Sequence, residues 1–246
     1  LTYDDIERTD VWKKFFENID KSRYELFLNP KNKNLICKNN LFKDKIIKNP
    51  YKNTERGTFS LLIAQDRLLR QAFNNKEIMH FIILSHNTIP VKSFEKLQHF
   101  LSNKQSVFNY EISTIAEHTI RYETIKTPKF KKTDFCFQDH WCILSRKDVS
   151  ILLNDFEKIK NIFGKMSVPE EHVCVNYLIH YKNVSDIHKS KLTHIIWEKK
   201  VFCYNNKYCW EEYNPKIFEK IESKDIPDDC YFLRKVDKNT DIQISF

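Results

Sequence analysis

Phe81-Ile82-Ile83-Leu84 is apolar at every position, whereas Phe59, Leu62, Ile63, Leu69 and Phe73 fall on one face of a helix. A strand buried on both faces needs helices to cover it, which is the layered arrangement of an α/β molecule. The same alternation recurs along the chain. Ser93 stands at a helix cap before Phe94, Leu97 and Leu101, and Val107-Phe108-Asn109-Tyr110 reads as a strand. Phe135 to Leu144 holds a strand, Lys147 to Phe163 a helix, and Glu170 to Tyr181 a helix opened by Pro169. Leu26-Phe27-Leu28, Ile195-Ile196-Trp197 and Tyr231 to Val236 read as further short extended elements. The expectation is an α/β fold with a central mixed, mostly parallel sheet flanked by helices, Phe81 to Leu84 lying at its centre. No repeat, low-complexity tract or Pro/Gly/Ser-rich linker divides the 246 residues, so one domain over 1–246 is expected.

Only two glycines occur, Gly57 and Gly164. That excludes the glycine-rich loops that cradle phosphates with backbone amides. If phosphate charge is handled here, side-chain cations must do much of it. The net charge of +8 suits an anionic ligand, either nucleic acid or a sugar nucleotide. The lysines are spread along the chain, and the densest cluster, Lys129-Phe130-Lys131-Lys132, reads as a solvated loop. Without a basic helix or an aromatic platform, no nucleic-acid partner is expected. The seven cysteines are odd in number, and Cys203 and Cys209 are too far apart for a metal knuckle. They read as reduced thiols in a cytoplasmic protein. The chain has no Asp-x-Asp pair and no zinc spacing, so neither metal nor cofactor is expected. No apolar run is long enough to span a membrane. The first residues read like a strand end entering a loop, as if the natural chain began earlier.

Ligands of α/β proteins gather where strands end. Three polar segments follow apolar runs: Asn29, Ser85 to Thr88, and Gln138 to His140. Each reads equally as ordinary loop hydrogen bonding. Glu170 and Glu171 open a helix, where acidic residues complement the helix dipole; the alternative is a general base acting on a hydroxyl. Arg234 and Lys235 are either a solvated basic pair or a clamp on a departing diphosphate. Trp197 is either core or a platform for a sugar ring.

In order along the chain, these segments resemble the Core-2/I-branching enzymes, glycosyltransferase family 14, which also includes the xylosyltransferases. The resemblance rests on Phe81 to Pro90 with Ser93-Phe94, Trp141-Cys142-Ile143-Leu144-Ser145-Arg146, and Pro169-Glu170-Glu171-His172. It continues through Thr193-His194-Ile195-Ile196-Trp197 and Phe232-Leu233-Arg234-Lys235-Val236-Asp237. The Lys-, Asn- and Ile-rich style is most similar to short versions carried by giant DNA viruses, which would place the protein in host cytoplasm or a viral factory. The resemblance implies a GT-A-like fold and an inverting, metal-independent transfer from a UDP-sugar to a glycan or glycoprotein hydroxyl. N-acetylglucosamine is the first sugar implied, and xylose or glucose the alternatives. It implies Glu171 as base and Lys235 at the diphosphate, with Arg234 beside it. Asn29, Gln138 and Asp139 fall on the donor side. Trp197, Ser85, His86, Glu111 and Glu170 fall on the acceptor side. The chain departs from the family at Gln138-Asp139, where relatives carry Gly-Ser, and at Asn29 and Glu170, where relatives carry aspartate. A catalytically degenerate glycan- or nucleotide-binding protein on the same scaffold is the rival reading.

Overall fold

The computed structural model describes residues 1–2, 5–32, 39, 41–102, 105–204 and 208–246; at 117, 200, 202–204 and 208–212 it describes the backbone alone. The chain is a mixed α/β molecule. Its α-helices are α1 (Thr9–Phe15), α2 (Ser60–Phe73), α3 (Phe94–Leu101), α4 (Ala116–Glu123), α5 (Arg146–Asn154), α6 (Phe156–Phe163) and α7 (Val173–Asn176). The last continues as π-helical turns over Tyr177–Tyr181.

The strands do not form the expected central, mostly parallel sheet. Among the described residues they make one four-stranded, one three-stranded and three two-stranded sheets. Five of their eight ladders are antiparallel. The four-stranded sheet runs His80–Ile82, Ile143–Ser145, Val107–Phe108, His188–Lys189. His80–Ile82 is therefore its end strand, antiparallel to Ile143–Ser145, and not its centre. An apolar run reports cover on both faces but says nothing of how many neighbours flank it, and Phe81 gains its cover from the stacked ring of Phe73 and the core around it. Leu26 to Leu28 forms only an isolated bridge, Leu28 to Ile46. The expected strand over 135–144 is two, Cys136–Gln138 and Ile143–Ser145. The expected helix over 147–163 breaks into α5 and α6 at Asp155. Asp155 is held there by the Tyr177 hydroxyl at 2.8 Å and Lys182 at 2.5 Å.

Two local devices fix the frame of the site. Ser145 caps α5: its hydroxyl accepts from the Asp148 amide and donates to the Asp148 carboxylate. Arg146 turns back to the end of α2. Its guanidinium donates to the carbonyls of Phe73, Asn75 and Ile78 at 2.8–2.9 Å and lies 4.1 Å over the Phe73 ring. The Phe73 carbonyl is one of the orphans at the C-terminus of α2, and a cation there satisfies both its hydrogen bonding and its partial charge, while the Asn75 and Ile78 carbonyls belong to the turn that follows. The largest buried cluster joins α2, α5, α6 and α7 through Leu62, Leu69, Val149, Leu152, Ile159, Phe163 and Tyr177.

Candidate active site

Pro169–Glu171 forms a single 3₁₀ turn between α6 and α7. Pro169 at its first position needs no amide partner there. Val168, just before it, adopts φ 50°, a left-handed conformation that costs a β-branched residue about 1–2 kcal/mol. Its amide donates to the Gly57 carbonyl at 2.9 Å, and Gly57 is itself left-handed at φ 74°. The turn carrying both glutamates is thereby tied to the segment that leads into α2.

Glu171 keeps 29 % of its side chain exposed, and its carboxylate pairs with Arg121 of α4 at 3.4 Å. Burial raises its pKa and nearby Asp139 adds to that, while Arg121 opposes them. Arg121 is buried, and the same Nη1 lies 3.1 Å from His172 Nε2. His172 Nδ1 lies 2.9 Å from the Cys136 carbonyl, which can only accept, so Nδ1 carries the proton and Nε2 accepts from Arg121. Burial, with Arg121 and His118 nearby, pushes the His172 pKa down to about 3. The imidazole is thus a fixed neutral acceptor, stacked on Phe135 at 4.6 Å, that aims the guanidinium at Glu171.

Glu170 is 7 % exposed, and its Oε2 has no hydrogen-bond partner among the described residues. Burial, with Glu171 adjacent, raises its pKa to about 7. Folding therefore favours its neutral form. Below pH ~4.5 this has no effect on stability; as pH rises towards 7 the unfolded chain gives up a proton that the folded chain keeps, and stability falls. The full penalty above pH 7 is about 3 kcal/mol. In Glu170→Gln that term is gone. Its stability relative to the parent should rise by about 3 kcal/mol between pH 4.5 and pH 8 in urea unfolding. A difference that does not change with pH would show that Glu170 does not titrate this way.

Behind this turn, Asn176 fastens α7 to the strand Cys136–Gln138: it accepts from the Cys136 amide and donates to the Cys136 carbonyl. Gln138 is buried, and its Oε1 accepts from the Val175 amide at 2.7 Å. Asp139 follows, held by the Asn109 amide group at 2.8 Å. Its pKa is raised by burial and by Glu111, against Asn109 and Lys191.

A second cluster centres on Arg234, at the end of the strand Phe232–Arg234. Its Nε donates to Ser85 Oγ at 3.1 Å and Asn87 Oδ1 at 3.2 Å, and its guanidinium lies 4.8 Å over the Trp141 ring. Ser85 in turn donates to Asn87 and accepts from Thr88, so the loop after Phe81 to Leu84 forms a closed cradle for the Arg234 stem. Burial and the charge of Arg56 lower the Arg234 pKa to about 10, which still leaves it charged at neutrality. Arg56 also acts on Glu170 and Glu171. It is exposed in the turn before α2, and its charge acts on both clusters.

The structure thus groups Glu170, Glu171 and Asp139 in one cluster and Arg234 with Ser85 in another, and the charge of Arg56 acts on both. Glu111 is exposed on the strand Tyr110–Ile112, opposite Phe137. His86 is half-buried and its carbonyl accepts from the Glu7 amide. Lys235 is half-buried next to Arg234, with its backbone bonded to Lys216 and Phe218. Trp197 is 49 % exposed and begins a long hairpin, Trp197–Tyr204 with Tyr208–Pro215, that the sequence reading did not anticipate. Asn29 is buried, and both ends of its carboxamide are taken up by the Tyr51 backbone at 2.7 and 2.9 Å. Sequence reasoning missed Arg121 and Arg56, and it named Asn87 only as part of the Ser85 to Thr88 segment. Among the described residues no three His, Cys, Asp or Glu side chains gather as metal ligands, and no helix is long and apolar enough to cross a membrane.

A carboxylate turn ion-paired with the buried Arg121 is a site suited to group transfer, and a family model matching residues 1–222 specifies the class: a glycosyltransferase. The chain belongs to the Core-2/I-branching enzyme family. Glu171, Arg121 and Ser85 lie inside the matched range, and Arg234 and Lys235 beyond it. A comparison with curated proteins finds no match.

Proposed function

We propose that the chain is an inverting glycosyltransferase that moves a sugar, N-acetylglucosamine first among the candidates, from its UDP form to a hydroxyl of a glycan or glycoprotein. The observation that carries this reading is the ion-paired Glu171 within a family match over residues 1–222. In this reading the Glu171 carboxylate takes the proton from the acceptor hydroxyl. The hydroxyl oxygen attacks the anomeric carbon on the face opposite UDP, the bond from that carbon to the diphosphate oxygen breaks, and configuration inverts. UDP leaves with the electron pair. Arg234 supports that charge with its terminal nitrogens, which make no hydrogen bond among the described residues, and Lys235 assists. Side-chain cations in these places, with no Asp-x-Asp in the sequence, support a transfer without metal. The GT-A-like arrangement belongs to the same reading, as do Trp197 and Glu111 at the acceptor.

The test is a thermal-shift titration with UDP, UDP-N-acetylglucosamine, UDP-xylose and UDP-glucose, with EDTA and with added Mn²⁺. A ligand held only by the folded state raises the midpoint by mass action. A shift with one UDP-sugar that survives EDTA and is lost in Arg234→Ala is the expected result. No shift with any of the four sinks the donor assignment and favours a degenerate, glycan-binding scaffold.

A further inference from the structure

A cavity lies apart from the residues just described. It has a volume of about 780 Å³ and lies along the last turns of α2 and α5. Its polar lining is dominated by carboxamides: Asn49, Gln71, Asn74 and Asn154. Its two cations are already engaged. Arg67 donates to the Asn49 carbonyl at 3.2 Å and lies 5.0 Å over the Tyr51 ring. Arg70 is paired with Asp66 at 2.8 Å and donates to the Leu153 carbonyl at 2.9 Å. No acidic residue lines the cavity. Phe73 contributes to its floor, but that ring is packed against Phe81 and lies under the Arg146 guanidinium. It therefore offers an apolar edge and not an open face on which a nucleobase could stack.

Neutral side chains that each carry a donor and an acceptor match a ligand whose hydroxyls do the same. Arginines held in place by their own partners act as oriented donors more than as free charge. We propose that this groove of α2 and α5 is a second carbohydrate site, which holds a neutral oligosaccharide away from the transfer site through Asn49, Gln71, Asn74 and Asn154. The inference rests on the sugar-transfer reading for its purpose: binding energy from a part of the acceptor remote from the reacting hydroxyl can be used at the reacting centre. The geometry suits that use. The first turn of α2 adjoins the turn that carries Glu170 and Glu171, and its last turn lines the groove. A helix of 14 residues places these ends about 20 Å apart.

The test is calorimetric titration of the whole chain, with no donor present, using chitotetraose, cellotetraose, maltotetraose and a sulfated heparin tetrasaccharide. At least one neutral tetrasaccharide should bind more tightly than about 1 mM. The double variant Gln71→Ala/Asn154→Ala, the first half-buried and the second exposed, should weaken that binding about tenfold and leave UDP binding and the unfolding midpoint nearly unchanged. Equal affinity in the double variant overturns the site, as does preference for the sulfated tetrasaccharide or no neutral binding at all. Because no transfer is measured, a failed transfer reading leaves these outcomes intact. Transfer to short acceptors with no effect of the double variant on tetrasaccharide binding would remove the groove alone.

Discussion

Glu171→Gln is expected to reduce sugar transfer by about 10²–10⁴-fold and to leave UDP binding nearly unchanged. Glutamine keeps the size of the side chain and can still accept from Arg121, so the turn should keep its shape. What it loses is the basicity that takes the acceptor's proton. Burial raises the Glu171 pKa, so parent activity should fall as pH drops through that raised value, whereas the residual activity of the variant should lack this limb. Single-turnover transfer and a UDP titration on the same preparations separate the two effects. Full activity in the variant would falsify the assignment of the base; a parallel loss of UDP affinity would move Glu171 to the donor side.

Arg121→Met should act on stability and on chemistry together. The parent arginine is 7 % exposed in its side chain and serves both Glu171 and His172. Removing one partner of such a pair strands the other, and the cost is about 3 kcal/mol, at the low end for buried pairs because Glu171 keeps 29 % exposure. Without the cation the neutral form of Glu171 is favoured further, its pKa rises, and the acid limb of the transfer profile moves to higher pH. Arg121→Lys keeps the charge and should hold the limb closer to the parent, although the two-way aim of the guanidinium is lost. Stability equal to the parent at pH 8, or a limb that does not move in Arg121→Met, would show that the pair does not set the base.

Glu171 could be singled out in the sequence because its signals are local. Pro169 marks a helix start, and acidic residues beside it are visible without any tertiary knowledge. The helix α2 was legible for the same reason, and Ser93 was correctly placed, its hydroxyl accepting from the Lys96 amide. Arg121 was not, since it is one of 41 Lys and Arg residues and nothing near it in the chain announces a partner 50 positions away. Its role depends on α4 reaching α7, which is a fact of packing. The end position of His80–Ile82 was hidden for a related reason: periodicity records burial, and burial by helices looks the same at the edge and in the middle. Gln138 illustrates a third limit. Its position was read as donor-facing, and the structure shows its Oε1 on the Val175 amide, a contact that local pattern does not encode.

Arg146 ends the Trp141-to-Arg146 segment, one of those through which the chain resembles its family. What that side chain does is close the end of α2, by holding three carbonyls and covering Phe73. Part of the family likeness is therefore a clasp. Selection can keep a clasp for the sake of the fold after the chemistry beside it has changed, so kinship read from this segment follows architecture. In the proposed reading activity has its own markers, the carboxylate of Glu171 and the guanidiniums of Arg121 and Arg234, and these can diverge while the clasp stays shut.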